Sequence, residues 1–84
     1  MTADELKGLE VATEVDARGT ACPGPLLDAK RAIADCPAGG VMSVLSSDEG
    51  TIIDITRWCK KMKHEYLGDF EDDGFWRIFL RKTA

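Results

Sequence analysis

The stretch "EVATEVDARGTACPGPLLDAKRAIADCPAGG" (Glu10–Gly40) changes its apolar period midway, and that change decides the fold. Over 10–17, Val11, Thr13 and Val15 alternate with Ala12, Glu14 and Asp16, the alternation of a strand. "RGTACPG" (18–24) has the composition of a loop. Beyond it, Leu26, Ala29, Ile33 and Cys36 step by three, four and three, which lays one apolar stripe along a helix. Pro25 suits the first turn, where a missing N–H is no loss and its φ is already helical. Pro37, Gly39 and Gly40 stop the helix.

The same reading extends to the rest of the chain. "VMSVLSS" (41–47) is β-branched and apolar and predicts a second strand. Asp48 is a candidate cap for a second helix, whose stripe is Ile52, Ile55, Cys59 and Met62. "HEYLGDF" (64–70) predicts a third strand, interrupted near Gly68, and Asp73-Gly74 is a two-residue hairpin signal. "FWRIFLRK" (75–82) completes a βαβαββ order. Crossover helices imply parallel pairing of the first strands, and the hairpin adds an antiparallel one. Right-handed crossovers place both helices on one face. The expected fold is a two-layer α/β sandwich: a mixed four-stranded sheet, two helices on one face and the other face open. In the last strand Trp76, Ile78 and Leu80 share one face; Phe75, Arg77, Phe79 and Arg81 would form an aromatic and basic stripe on the open one. Residues 1–84 read as a single domain, with 1–9 as a frayed N-terminus.

Composition narrows the function. The chain is 84 residues long, 44% hydrophobic and 31% charged, with a net charge of −4. It is globular, and its acidity argues against a general nucleic-acid binder. There is no apolar run of the roughly 18 residues that a membrane span needs. "MTADELKGLE" is acidic and lacks the apolar core of a signal peptide. The expectation is a cytoplasmic protein whose thiols are reduced, and a monomer. Its three cysteines cannot all pair internally.

Cys22 reads as the residue placed for chemistry, the alternative being a buried small hydrophobe before an ordinary proline-started helix. It precedes the first turn of the first helix, where unsatisfied amides and aligned peptide dipoles carry about half a positive charge. That field favours a thiolate and lowers its pKa from the free value of about 8.5. Arg18, in the same loop, could add a second positive charge. Pro23 and Pro25 stiffen the loop so that Cys22 is presented outward, and Gly24 admits close approach to the backbone. Cys22 and Cys36 flank one helix, roughly 15 Å apart, beyond the about 7 Å limit of a disulfide. Cys36 and Cys59 fall on apolar stripes and read as buried small residues, Cys59 having a resolving role only if folding brings it near Cys22. A lone histidine and scattered cysteines supply no zinc spacing, so no metal is expected. His64 reads as a surface or capping residue. The run Arg57, Lys60, Lys61 and Lys63 reads as a solvated helix face or a candidate docking patch.

Asp16, Arg18-Gly19, Cys22-Pro23-Gly24-Pro25-Leu26 and Lys30 resemble the signature of the TusA/SirA-like sulfur-carrier family. The resemblance continues through Gly39-Gly40, Asp48, Cys59 and His64, over about residues 10 to 82. It departs at Lys63, where the family pattern often has glycine. It implies a sulfurtransferase that acts stoichiometrically in a relay: Cys22 accepts a sulfane sulfur as a persulfide, and Asp16, Arg18, Gly19, Pro23, Gly24 and Pro25 support the thiolate or its loop. The implied donor is a cysteine desulfurase or rhodanese-type protein, and the implied acceptor belongs to tRNA thiolation, molybdenum-cofactor metabolism or sulfur oxidation. No cofactor is implied. The alternative is a small RNA- or protein-binding regulatory module without sulfur chemistry, although no stacking motif of the RNA-recognition type is present.

Overall fold

The computed structural model describes residues 2–20 and 24–83. Along the chain these form α1 (Ala3–Lys7), β1 (Val11–Asp16), α2 (Gly24–Ala32), a 3₁₀ turn (Ile33–Asp35), β2 (Val41–Ser46), α3 (Gly50–Met62), β3 (Glu65–Asp72) and β4 (Phe75–Arg81). The strands make one mixed sheet in the order β1-β2-β4-β3. β1 is parallel to β2, and β4 is antiparallel to both β2 and β3. The second crossover therefore does not pair β3 with β2, because β4 folds back between them. The residue types explain why. β4 (FWRIFLR) is apolar enough for an interior position, whereas β3 carries Glu65, Asp69, Glu71 and Asp72. β3 also slips register between Tyr66 and Gly68. Charge and a bulge both suit an edge strand.

Every residue of β2 is buried, so this strand is the spine of the molecule. On one face of the sheet lie α2 and α3. Their core joins Ala29, Ile55, Trp58 and Cys59 to Val15, Met42, Val44, Ile78 and Leu80, with Leu26, Ile33 and Trp76 packed around it. Ile55, Ile78 and Leu80 are fully buried, and each stabilises by roughly 1.5–3 kcal/mol. Both expected stripes face this core, except that Met62, in the last turn of α3, is 48% exposed. Trp58, off the stripe, is buried in its place.

The opposite face is not open: residues 2–9, expected to fray, form a capped helix and pack on it. Thr2 and Glu5 form a reciprocal capping box that starts α1. Leu6 is fully buried against Val41, Leu67 and Phe79, with Leu9 and Phe70 alongside. A helix this short has too few apolar positions to register as a period, and only the Thr-x-x-Glu spacing marks it. The register of β1 slips between Val11 and Thr13, so Val11 pairs with Val41 and lines the α1 face with Leu6. The stripe expected on this face is also closed. Phe79 is buried, Arg77 pairs with Asp72 (2.7 Å) and Glu14 (3.4 Å), and Arg81 pairs with Glu65 (2.8 Å).

The turns follow their residue chemistry. Asp73 and Gly74 are both left-handed (φ 50° and 86°), as a tight hairpin requires. Lys63 ends α3 at φ 63°, ψ 30°, and its N–H donates to the Cys59 carbonyl. A side chain in that region costs about 1–2 kcal/mol, and glycine returns part of the gain through its freer unfolded chain. Lys63→Gly is therefore expected to stabilise the fold by about 0.5–1 kcal/mol, read as a higher urea midpoint at unchanged m-value. An unchanged or lower midpoint would contradict this account of the turn.

Candidate functional site

The site is built where β1 ends and α2 begins. Past Asp16 the chain is fastened at several points. Ala17 N–H donates to the Leu45 carbonyl (2.9 Å), Thr20 N–H to the Ala17 carbonyl (3.3 Å) and Gly19 N–H to Ser47 Oγ (3.1 Å). Gly19 sits at φ 84°, a conformation that disfavours any side chain. The Arg18 guanidinium grips the Asp16 carboxylate with two bonds, Nε to Oδ1 at 2.9 Å and Nη2 to Oδ2 at 2.7 Å. The Arg18 amide also donates to Oδ1 at 3.2 Å. The guanidinium carbon lies 4.7 Å from the centre of the Phe75 ring. Hydrogen bonds from Arg18 hold the Asp16 carboxyl down at about 2, and Asp16 in turn raises the Arg18 pKa.

This arrangement corrects one expectation. Arg18 is not a free cation available to a thiolate. Asp16, two residues back, takes its charge in a bidentate pair, so Arg18 braces the loop. The positive field that remains belongs to the start of α2.

On the far side of the loop, α2 begins at Gly24, and Pro25 is fully buried in its first turn. A Cβ on Gly24 would lie 2.1 Å from Thr20 Cγ2. A side chain at 24 would force the Thr20 methyl to move, so the start of the helix packs closely against Thr20. Thr20 and Gly24, at the two ends of the segment that contains Cys22, therefore lie close together. Cys22 and Pro23 themselves lie outside the described residues. What is described is the frame around them: a braced turn on one side and a helix N-terminus on the other.

The remaining thiols are sequestered. Cys36 is 2% exposed and Cys59 is 1% exposed, and burial pushes the Cys59 thiol up to about 11. A thiol so held is a poor nucleophile, and Cys22, the thiol that a resolving Cys59 would have to reach, lies outside the described residues. His64 packs edge-on against Trp58 with ring centroids 5.4 Å apart, and its Nδ1 accepts the Thr83 N–H at 3.4 Å. Partial burial, with Lys82 nearby, lowers its pKa.

The basic run splits in space. Arg57 and Lys61, one turn apart on α3, face Lys30 of α2 across a groove. The groove comprises two adjoining hollows that share Lys30, Trp58 and Lys61. One, of about 210 Å³, reaches Leu26 and Asp54; the other, of about 330 Å³, reaches Ile33, Met62 and His64. Lys60 and Lys63 line neither hollow. Lys30 joins the basic set only through the packing of α2 on α3. Ser47 and Phe75, which hold the loop from other elements, carry no local sequence signal for that role.

A strand, a braced turn and a glycine-proline helix start describe a class of small α/β proteins whose candidate site lies where β1 gives way to α2. The comparisons make the class definite. The family profile described as Sulfurtransferase TusA matches residues 13–82. A relative from Archaeoglobus fulgidus is 43% identical over 81% of this chain and 93% of its own. The sulfur carrier protein TusA of Pseudomonas syringae pv. syringae is 31% identical over 98% of both chains. The crystal structure of a SirA-like protein from Desulfitobacterium hafniense superposes with a TM-score of 0.69 at 29% identity, covering 86% of this chain and 99% of that one. The chain belongs to the TusA sulfurtransferase family.

The Asp16–Arg18 brace has a pH signature. The folded pKa of Asp16 is depressed from 3.8 to about 2. The stability it contributes is therefore present in full above the unfolded value and is lost as pH falls through that interval. Wild type should be more stable than Asp16→Asn at neutral pH, and the difference in urea midpoint should close between pH 3.8 and about 2. A difference that is flat across that window would show that the carboxylate charge is not what braces the turn.

Proposed function

We propose that this chain is a persulfide sulfur carrier, with Cys22 as the residue that bears the sulfur. Family membership supports sulfur transfer. The observation that selects Cys22 is the burial of the alternatives: Cys36 and Cys59 are 2% and 1% exposed, while Cys22 precedes the first residue of α2 by two positions. The start of α2 favours negative charge, both on a thiolate and on the persulfide that replaces it.

The transfer balances without a redox partner. The Cys22 thiolate attacks the outer sulfur of a donor persulfide, a bond forms between Cys22 Sγ and that sulfur, the donor S–S bond breaks, and the donor leaves as a thiolate. In the second step an acceptor thiolate attacks the same sulfur, and Cys22 leaves as a thiolate. Both steps have the form of thiol–disulfide exchange, so their rates follow thiolate fraction and leaving-group pKa. The donor is a cysteine desulfurase or rhodanese-type protein. The acceptor delivers the sulfur to tRNA thiolation, molybdenum-cofactor or sulfur-oxidation chemistry. Pairing with Asp16 leaves Arg18 to hold the loop rather than to react.

Incubation with a cysteine desulfurase and cysteine, or with polysulfide, should add one sulfur atom, about 32 Da, to the peptide containing Cys22, as persulfide exchange requires. Cys22→Ser should lose the adduct and keep the wild-type unfolding midpoint. An adduct on Cys36 or Cys59, or none on a folded wild-type chain, would overturn the assignment.

A further inference from the structure

The groove between α2 and α3 is the strongest unexplained feature of the surface. Elsewhere the arginines are neutralised in place. Arg18, Arg31, Arg77 and Arg81 each lie within 3.5 Å of a carboxylate, those of Asp16, Asp28, Asp72 and Glu65. Arg57, Lys61 and Lys30 are in no ion pair among the described residues. They converge on one groove of a chain whose net charge is −4. Beside Lys30 and Lys61 the groove opens into a hollow of about 330 Å³ whose other walls are Ile33, Trp58, Met62 and His64, and Met62 is 48% exposed. Such a patch favours an anionic partner that also brings an apolar side chain.

We propose that this groove docks an acidic segment of the proteins with which Cys22 exchanges sulfur. Carboxylates of that segment meet Lys30, Arg57 and Lys61, and one of its apolar side chains fills the hollow between Ile33, Trp58 and Met62. The inference rests on the carrier reading and adds to it the chemistry of the partner. The placement fits that use. The groove reaches Leu26, in the first turn of α2, four residues beyond Cys22 in the chain. A segment bound along the groove therefore runs toward the helix start that follows Cys22. Complementary charge raises the encounter rate and fixes orientation where a shallow site cannot.

Protein fits this groove better than RNA. Trp58 is 8% exposed, so it offers no open ring face for a base to stack on. Asp54 stands in the lining among the cations, and the acidity of the chain as a whole repels a polyanion.

The test is an amide-shift titration of the full chain with a short synthetic peptide of glutamates around a central leucine. A glutamine counterpart and an oligouridylate serve as the other probes. The expected result is shifts at Lys30, Ile33, Arg57, Lys61 and Met62 with the glutamate peptide, weakening as salt rises. Combined Arg57→Glu and Lys61→Glu should weaken binding about tenfold or more. Lys60→Glu, outside the groove, should leave it within about twofold. Equal binding of the glutamine peptide, an equal loss with Lys60→Glu, or tighter binding of the oligouridylate at these residues would overturn the proposal. Sulfur loading of Cys22 by polysulfide, which needs no docking, separates the two readings. If Cys22 loads and the groove takes no acidic peptide, the groove assignment alone is overturned. If Cys22 never loads, the carrier reading fails and the partner assignment with it.

Discussion

The parallel pairing of β1 with β2 is the constraint on which the rest of the molecule depends. Because the two strands run the same way, their carboxyl ends lie at one edge of the sheet, and the helices that follow both start there. In open α/β sheets that edge is where sites form, since the loops meet there and helix N-termini bring positive potential. Here the meeting is physical: the loop after β1 bonds to the loop after β2 through Gly19 N–H and Ser47 Oγ. The start of α3 is closed off locally. Asp48 Oδ1 accepts the Gly50 N–H at 2.9 Å, and Ser46 and Thr51 share a buried hydrogen bond of 2.8 Å. The start of α2 is the one that follows directly on Cys22.

Charge is distributed so that this edge and the groove beside it differ from the rest of the surface. β3 lies at the opposite edge of the sheet from β1 and carries much of the acidity. On the face covered by α1, Arg77 and Arg81 form cross-strand pairs with carboxylates of neighbouring β3, and Arg77 also reaches across β2 to Glu14 of β1. At the loop, Asp16 neutralises Arg18. Lys30, Arg57 and Lys61 of the groove, which runs back along α2, are in no ion pair among the described residues, and neither are Lys60 and Lys63 beyond it. The dipole of α2 and the cations of the groove act at different ranges. The dipole is felt within about a turn, whereas side-chain cations at a surface act over about a Debye length, roughly 8–10 Å. Under the carrier proposal, the first would act on a bound anionic sulfur and the second on an approaching protein.

What could be read from the sequence was what is local. The period change within Glu10–Gly40, the Asp73-Gly74 hairpin and the weak point at Gly68 are consequences of a few adjacent residues, and each is where its pattern puts it. What escaped depends on pairs distant in the chain. The insertion of β4 between β2 and β3 reflects a comparison of two strands' polarity, and no periodicity within either strand encodes it. The docking of α1 rests on one leucine fitting between Val41, Leu67 and Phe79. The same holds at the site. Cys22, Gly24 and Pro25 stand out because a helix start has its own grammar. The pairing that removes Arg18 as a free charge, the support from Ser47 and Phe75, and the meeting of Lys30 with Arg57 and Lys61 are tertiary events. Even the Asp16–Arg18 pair, only two residues apart, was open, because strand alternation alone does not say that the chain will turn back after Asp16.

Burial of the other two thiols has a chemical purpose under the carrier reading. A persulfide has two electrophilic sulfurs. Attack on the outer one passes the sulfur on. Attack on the inner one by a neighbouring thiolate forms a disulfide and expels hydrosulfide, so the cargo is lost. A carrier therefore needs its remaining thiols both out of reach and protonated. Cys36 and Cys59 meet the first condition by lying in the helix–sheet core. Cys59 meets the second as well. With its pKa pushed up to about 11, only roughly one molecule in ten thousand carries that thiolate at neutral pH. On that reading, the core that stabilises the sheet in so small a chain would also keep a bound persulfide from being lost to the chain's own thiols.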